Sequence, residues 1–320
     1  NPYRDWYLWQ GTRPGGWSIY GSDPWRGAAT GFYFAAFSPE MPDFNLLNPV
    51  AVAWHHDNLR FWLNRGVDGF RFDAVGHLVE NGPTAWDNQP QNYSIMGAVR
   101  NLTSIYARRY LVCEAPGDPA GFAADTACGA AFAFGQQVTT LRAAKGDATA
   151  LTELGNYFLS RPASVATFLS NHDSFAGARV WDHVNGNLAQ YKLAAAAYLL
   201  QPGTPFLYYG EEIGMAGGGG LSGDTALRTP MSWTNDPVRG GFTTGTPFRT
   251  LSANVATQNA AAQMADPDSL RSHYRALLAL RKARPSLTRG AYDQVLVQGS
   301  VLAFRRLIND EETRVVLNFG

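Results

Sequence analysis

Hydrophobic positions along the chain fall into two spacings, and the switches between them mark out its elements. Residues 69–73 read Gly-Phe-Arg-Phe-Asp, an alternation of period two. It predicts a strand with Phe70 and Phe72 on one face and Arg71 and Asp73 on the other. Further short apolar runs occur at 110–113, ahead of Glu114, and at 130–134, 166–170 and 205–209. Between them the spacing turns helical. Asn48 before Pro49 is an N-cap and first-turn signal, so a helix is expected over 49–65, with Gly66 ending it in the left-handed conformation. Ser94 is expected to cap a second helix, with a stripe of Ile95, Ala98, Val99, Leu102, Ile105 and Tyr106. A third is expected over 187–201, with Leu188, Tyr191, Ala195, Tyr198 and Leu199 on one face and Pro202 stopping it. Asp266 is expected to cap a last helix running to 284 through Leu270, Tyr274, Leu277 and Leu278. Beyond it, 295–306 and 313–319 alternate around Asn309-Asp310-Glu311-Glu312, the pattern of a β-hairpin.

Short apolar strands alternating with helices imply a parallel sheet with right-handed crossovers. Five such strands are expected between residues 69 and 209. Three end on an acidic residue (Asp73, Glu114, Asp173), and the last ends near Glu211. Acidic groups at the carboxyl ends of several strands are the arrangement of a (β/α)8 barrel active site. An open doubly wound sheet is the alternative, but no Gly-rich phosphate loop follows any strand. Residues 1–48 have no clean helical period and are dense in Gly, Pro and aromatic residues, among them Trp17, Tyr20, Trp25, Phe34 and Phe37. They read as a long irregular segment, either an aromatic wall for a sugar or a small satellite core. Residues 214–265 form a Gly- and Thr-rich excursion.

The chain has 320 residues, 45% hydrophobic and 16% charged, enough for one large domain or a domain with an appendage. Its 26 basic and 26 acidic residues give a net charge of zero, so no basic field draws nucleic acid or an anionic membrane. No apolar run is long enough to span a bilayer, and no basic-then-apolar leader opens the chain. A chain opening on Asn1 is expected to be processed or part of something longer. Cys113 and Cys128 make neither a disulfide framework nor metal-ligand spacing. They lie near the end of one expected parallel strand and the start of the next. Those positions fall at opposite ends of a barrel, so no disulfide is expected between them.

Arg71 beside Asp73 on one strand face is either a structural ion pair or part of a reactive site. The rest of the chain decides. Met41-Pro42-Asp43-Phe44-Asn45, the GFRFDAVGH stretch from Gly69 to His77, the strand ending at Glu114, and Phe-Leu-Ser-Asn-His-Asp ending at Asp173 occur in one order. Gly-Thr-Pro-Phe-Leu-Tyr-Tyr-Gly-Glu-Glu from Gly203 follows. Together they resemble the α-amylase family of glycoside hydrolases. The resemblance implies that Asp73 is the nucleophile, Glu114 the general acid/base and Asp173 the third carboxylate, which holds sugar hydroxyls. It gives Arg71 the pairing with the nucleophile, His172 a hydrogen bond to the sugar being cleaved, and His77 a contact on the acceptor side. The chemistry asks for the same set. A retaining glycosidase needs one carboxylate ionised to attack and one protonated to help the leaving oxygen. Arg71 is expected to keep Asp73 anionic, and the apolar approach Leu111-Val112-Cys113 to raise Glu114.

The resemblance further implies an irregular inserted domain at 1–48, part of a (β/α)8 barrel at 49–285 with its fourth to eighth strands, and the start of a C-terminal β domain at 286–320. The family's first barrel strands, with one more substrate histidine, are expected on a segment preceding these residues. A calcium ion beside the inserted domain is a family feature whose ligands would come mostly from that segment, so no metal is assigned here. The substrate class implied is starch or maltooligosaccharides, with an extracellular or periplasmic setting favoured by substrate class alone. Two other activities stay open. Arg228-Thr229-Pro230-Met231-Ser232-Trp233 and the opening Arg4-Asp5-Trp6-Tyr7 resemble exo-acting α-glucosidases and trehalose-forming relatives, whereas Met41-Pro42-Asp43 is more amylase-like. A non-catalytic binding relative is the third reading, against which stand the three carboxylates.

Overall fold

The computed structural model describes residues 1–320, which form two compact units, Asn1–Phe132 and Ala133–Gly320. The first opens with three short antiparallel strands, β1 (Trp9–Gln10), β2 (Trp25–Ala28) and β3 (Gly31–Phe34), in the order β1-β3-β2. Ile19, Trp25, Phe34 and Ala36 form a satellite core under them, with Trp17 packed against it. Helix α1 (Pro49–Asn64) begins where Asn48 accepts the Val50 N–H at 2.9 Å and ends at Gly66, whose φ is +91°. Strand β4 (Gly69–Phe72) follows, with the Phe70 and Phe72 rings 6.0 Å apart.

Helix α2 spans Pro90–Ser104, so Ser94 lies inside it rather than at its cap. The start is set by Pro90, whose fixed φ and missing N–H suit the first helical position. Met96, Val99 and Leu102 are its buried face, while Ile105 falls outside the helix and is exposed. Strand β5 (Tyr110–Cys113) runs parallel to β4 in the register Gly69↔Tyr110 to Phe72↔Cys113. The approach is close: a Cβ on Gly69 would collide with the Tyr110 carbonyl. After α3 (Pro119–Phe122) comes β6 (Ala131–Phe132), parallel to β5 through the single pair Cys113↔Ala131.

In the second unit come α4 (Gln136–Ala144), α5 (Ala148–Asn156), β7 (Val165–Ala166), α6 (Val180–His183) and α7 (Leu188–Leu200). Asn187 caps α7 through the Gln190 N–H. Ala194 to Leu200 are buried on every side rather than on one face, because α4, α10 and β10 all pack on α7. Residues 205–209 form no regular strand. Pro205 has no N–H to give, and the segment bonds through Thr167 N–H to Thr204 and Phe206 N–H to Thr167, at 3.1 and 2.7 Å. Short helices α8 (Gly223–Leu227) and α9 (Ala260–Gln263) interrupt the Gly-rich excursion. Helix α10 (Leu270–Ala283) is capped by Ser269. Asp266 instead accepts the Asp268 N–H, so the chain turns once more before the helix starts. Then α11 (Pro285–Arg289) leads into β8 (Ala291–Gln298), β9 (Val301–Ile308) and β10 (Glu311–Asn318). The alternation over 295–306 is thus two strands, folded back at Gly299 with φ +57°. The meander's inner residues Leu302, Phe304, Val315 and Leu317 share one core with Leu151, Leu154, Tyr191 and Leu199. No helix is long and apolar enough to cross a membrane.

Candidate active site

In the first unit the parallel register does the positioning. Phe72 and Cys113 are partners, so Asp73 and Glu114 leave their strands at the same level. Glu114 N–H donates to the Phe72 carbonyl at 2.8 Å, and Val75 N–H returns a bond to the Glu114 carbonyl at 3.1 Å. Ala74 between them takes a left-handed φ of 44°, and its N–H donates to Glu114 Oε2 at 3.1 Å. Arg71 bridges the pair: Nη1 meets Asp73 Oδ1, and Nη2 lies 3.0 Å from Glu114 Oε2. Two carboxyl groups on one guanidinium are necessarily neighbours. Their surroundings differ sharply, since the Asp73 side chain is 72% exposed and that of Glu114 only 7%. Burial, reinforced by the Asp73 charge, raises Glu114 above the usual carboxylate range against the pull of the Ala74 N–H and Arg71.

His77 follows on the same loop. Its Nε2 lies 2.7 Å from the Tyr20 hydroxyl, and its ring stacks on Trp86 with centroids 5.4 Å apart and 15° between planes. Phe37 meets it edge-on at 5.6 Å. Burial lowers the His77 pKa, which favours the neutral ring. The aromatic segment therefore divides: Trp17, Trp25 and Phe34 build the satellite core, while Tyr20 and Phe37 stand half-exposed at His77. A cleft of ≈ 530 Å³ reaches Asp73 and His77 between Phe37, Phe44, Phe72 and Leu78.

In the second unit, Asp173 follows β7 by way of Asn171, whose side chain accepts the Asp173 N–H at 2.8 Å. His172 Nε2 lies 3.1 Å from Asp173 Oδ2, and Arg228 Nη2 lies 2.6 Å from Oδ1. The same Arg228 nitrogen pairs with Asp224 at 2.9 Å, and its Nε donates to the His172 carbonyl. Ser174 holds Asp224 through its N–H and hydroxyl, which lowers that carboxyl's pKa. Asp224 and Arg228 carried a legible signal in their i, i+4 spacing. Trp86 carried none, being a lone aromatic in a turn.

Cys113 and Cys128 form a disulfide with their Cα atoms 6.3 Å apart, against the sequence expectation. The expectation took the two strands to be in phase. Instead β6 is staggered, so that its first residue pairs with the last residue of β5, and the turn holding Cys128 is carried beside Cys113. No group of three or more His, Cys, Asp or Glu side chains gathers that could hold a metal ion.

The α-amylase catalytic-domain family model matches residues 1–290. Alpha-amylase 3 of Dictyoglomus thermophilum is 31% identical over 333 residues, all of this chain and 62% of its own length. The probable alpha-glucosidase of Rhizobium meliloti is 30% identical, over all of this chain and 68% of the relative. The trehalose synthase/amylase of Mycobacterium tuberculosis is 29% identical, over 99% and 62%. The chain thus spans about two thirds of the length of these relatives. Among solved structures, isomaltulose synthase from Erwinia rhapontici superposes with a TM-score of 0.83 at 23% identity, over 100% of this chain and 70% of that one. The alpha-glucosyl transfer enzyme XgtA superposes at 0.84 and 25%, with the same coverage. The fold is therefore that of the (β/α)8 barrels with an antiparallel C-terminal β domain, and the chain belongs to the α-amylase family of glycoside hydrolases.

Proposed function

We propose that the protein is a retaining glycosidase that cleaves α-1,4-glucosidic bonds in maltooligosaccharides or starch. The observation that carries this is the split of two neighbouring carboxyls on one guanidinium, one exposed and ion-paired, the other buried and raised. Asp73 attacks the anomeric carbon as the glycosidic bond breaks, and Glu114 gives its proton to the departing oxygen. Glu114, now ionised, then takes a proton from the water that releases the sugar from Asp73. Arg71 pairs with Asp73 and aims it. The family resemblance assigns Asp173 and His172 to hydroxyls of the sugar being cleaved, and His77, with Tyr20 and Trp86 beside it, to the next one. A neutral sugar needs no charged field, which agrees with the zero net charge. A calcium ion beside the inserted segment, on this reading, takes its ligands mostly from outside the chain.

One observation favours an exo-acting α-glucosidase or an α-glucosyl transferase. Arg228, from the segment resembling those enzymes, already occupies one oxygen of Asp173. Product analysis from maltoheptaose decides: a spread of maltooligosaccharides supports internal cleavage, and glucose alone from the non-reducing end overturns it. If the unmodified protein, joined to the preceding segment that carries the first barrel strands, hydrolyses no α-glucoside, the reading as a binding relative wins.

A further inference from the structure

The linkage between Cys113 and Cys128 falls where the sheet is thinnest. On its β4 side, β5 is held by four register pairs. On its β6 side it has one pair, and β6 itself is two residues long. The backbone there is tied by Cys113 N–H to the Ala130 carbonyl at 3.0 Å. The disulfide spans this same gap, closing a separation of 15 residues. Both cysteines are buried, at 0% and 2% exposure, and Cys113 is the residue immediately before Glu114. What fixes the Cys113 backbone therefore fixes where the Glu114 side chain begins and how little water reaches it.

We propose that the Cys113–Cys128 disulfide is a positioning device for Glu114: it replaces the missing ladder on one side of β5 and keeps the acid/base carboxyl dry and aimed. This rests on the reading of Glu114 as the general acid. Burial is the largest influence raising that carboxyl, and it is the one a loosened strand end would give up. A cleft of ≈ 370 Å³ lined by Arg100, Asn101, Tyr110 and Cys128 gives a small dithiol an approach to the bond. Reduction is balanced simply: the S–S bond takes two electrons and two protons from the dithiol, leaving two thiols and the reagent's own disulfide.

The test compares kcat/KM against pH on a maltooligosaccharide for three samples: the oxidised protein, the protein reduced with dithiothreitol, and Cys128→Ser. Circular dichroism checks that each is folded, and Cys128→Val, which refills the space, replaces the serine variant where that does not fold. Because the acid must be protonated to act, its pKa sets the alkaline limb. The expected result is an alkaline limb moved to lower pH by roughly half a unit or more, with kcat down roughly tenfold and KM changed less than twofold. A folded protein with the bond removed and an unmoved limb overturns the inference alone. Two free thiols in unreduced, denatured protein also overturn it. An oxidised protein with no hydrolytic activity removes the reading of Glu114 and the inference with it.

Discussion

Asp73 and Glu114 share a cation yet face different surroundings, and the roles proposed for them rest on that difference. Each role has its own signature. Asp73→Asn is expected to lower kcat by several orders of magnitude for every substrate, because no covalent step can begin. Glu114→Gln is expected to lower kcat on a maltooligosaccharide comparably, but to spare the first step with α-glucosyl fluoride, whose leaving group needs no proton. Burst kinetics with the fluoride would show this, and an equal loss on both substrates would contradict it. At this scale the sequence was informative where a residue's role follows from its neighbours along one strand. The Phe-Arg-Phe-Asp alternation placed Arg71 with Asp73, and the apolar run before Glu114 anticipated its burial. The partner of Asp173 was not legible in that way. Arg228 reaches it from 55 residues on, and only the fold brings that excursion back.

Among the elements, the segment ending in Glu211 shows how a carboxylate can organise packing. Its Oε1 accepts from the Tyr198 and Tyr274 hydroxyls at 2.7 and 2.9 Å, tying α7 and α10 together. Its Oε2 accepts from Ser170, three residues before Asp173, at 3.2 Å. Full burial pushes Glu211 up from 4.5 to about 7. The folded state thus keeps a proton that the unfolded chain releases. The stability this contributes is complete below pH 4.5 and is lost as pH rises through about 7. Over that window the loss is on the order of 3 kcal/mol. In urea melts, Glu211→Gln is expected to have a flatter pH dependence than the parent protein. Parallel slopes would contradict the assignment. Asn187→Ala is a plainer case: losing the bond to the Gln190 N–H is expected to cost about 1 kcal/mol of stability. The Asn48 cap was readable because capping is local. Ser94 and Asp266 misled because several polar residues near a helix start can cap, and the backbone decides among them. The stagger of β6 left no local trace at all, and with it the disulfide stayed hidden.

Taken whole, the chain carries 26 basic and 26 acidic residues and is proposed to act on an uncharged polymer. Hydrolysis is therefore expected to be nearly indifferent to salt: kcat/KM should change less than about twofold between 50 and 500 mM sodium chloride. A steep decline would mean that charge steers the substrate. The alternation of short parallel strands with helices was legible where apolar residues are buried along an element, as in α2 and β5. Where a strand shrank to two residues, as in β6 and β7, the apolar run outlasted the ladder. Asp73 is proposed to be the nucleophile that accepts the glycosyl group. Incubating Glu114→Gln with α-glucosyl fluoride loads the nucleophile while leaving no base to unload it, and peptide mass spectrometry then locates the adduct. A hexosyl mass on the peptide containing Asp73, absent in the Asp73→Asn/Glu114→Gln double variant, is the expected result. An adduct on another residue, or turnover with inverted product and no adduct, would contradict it.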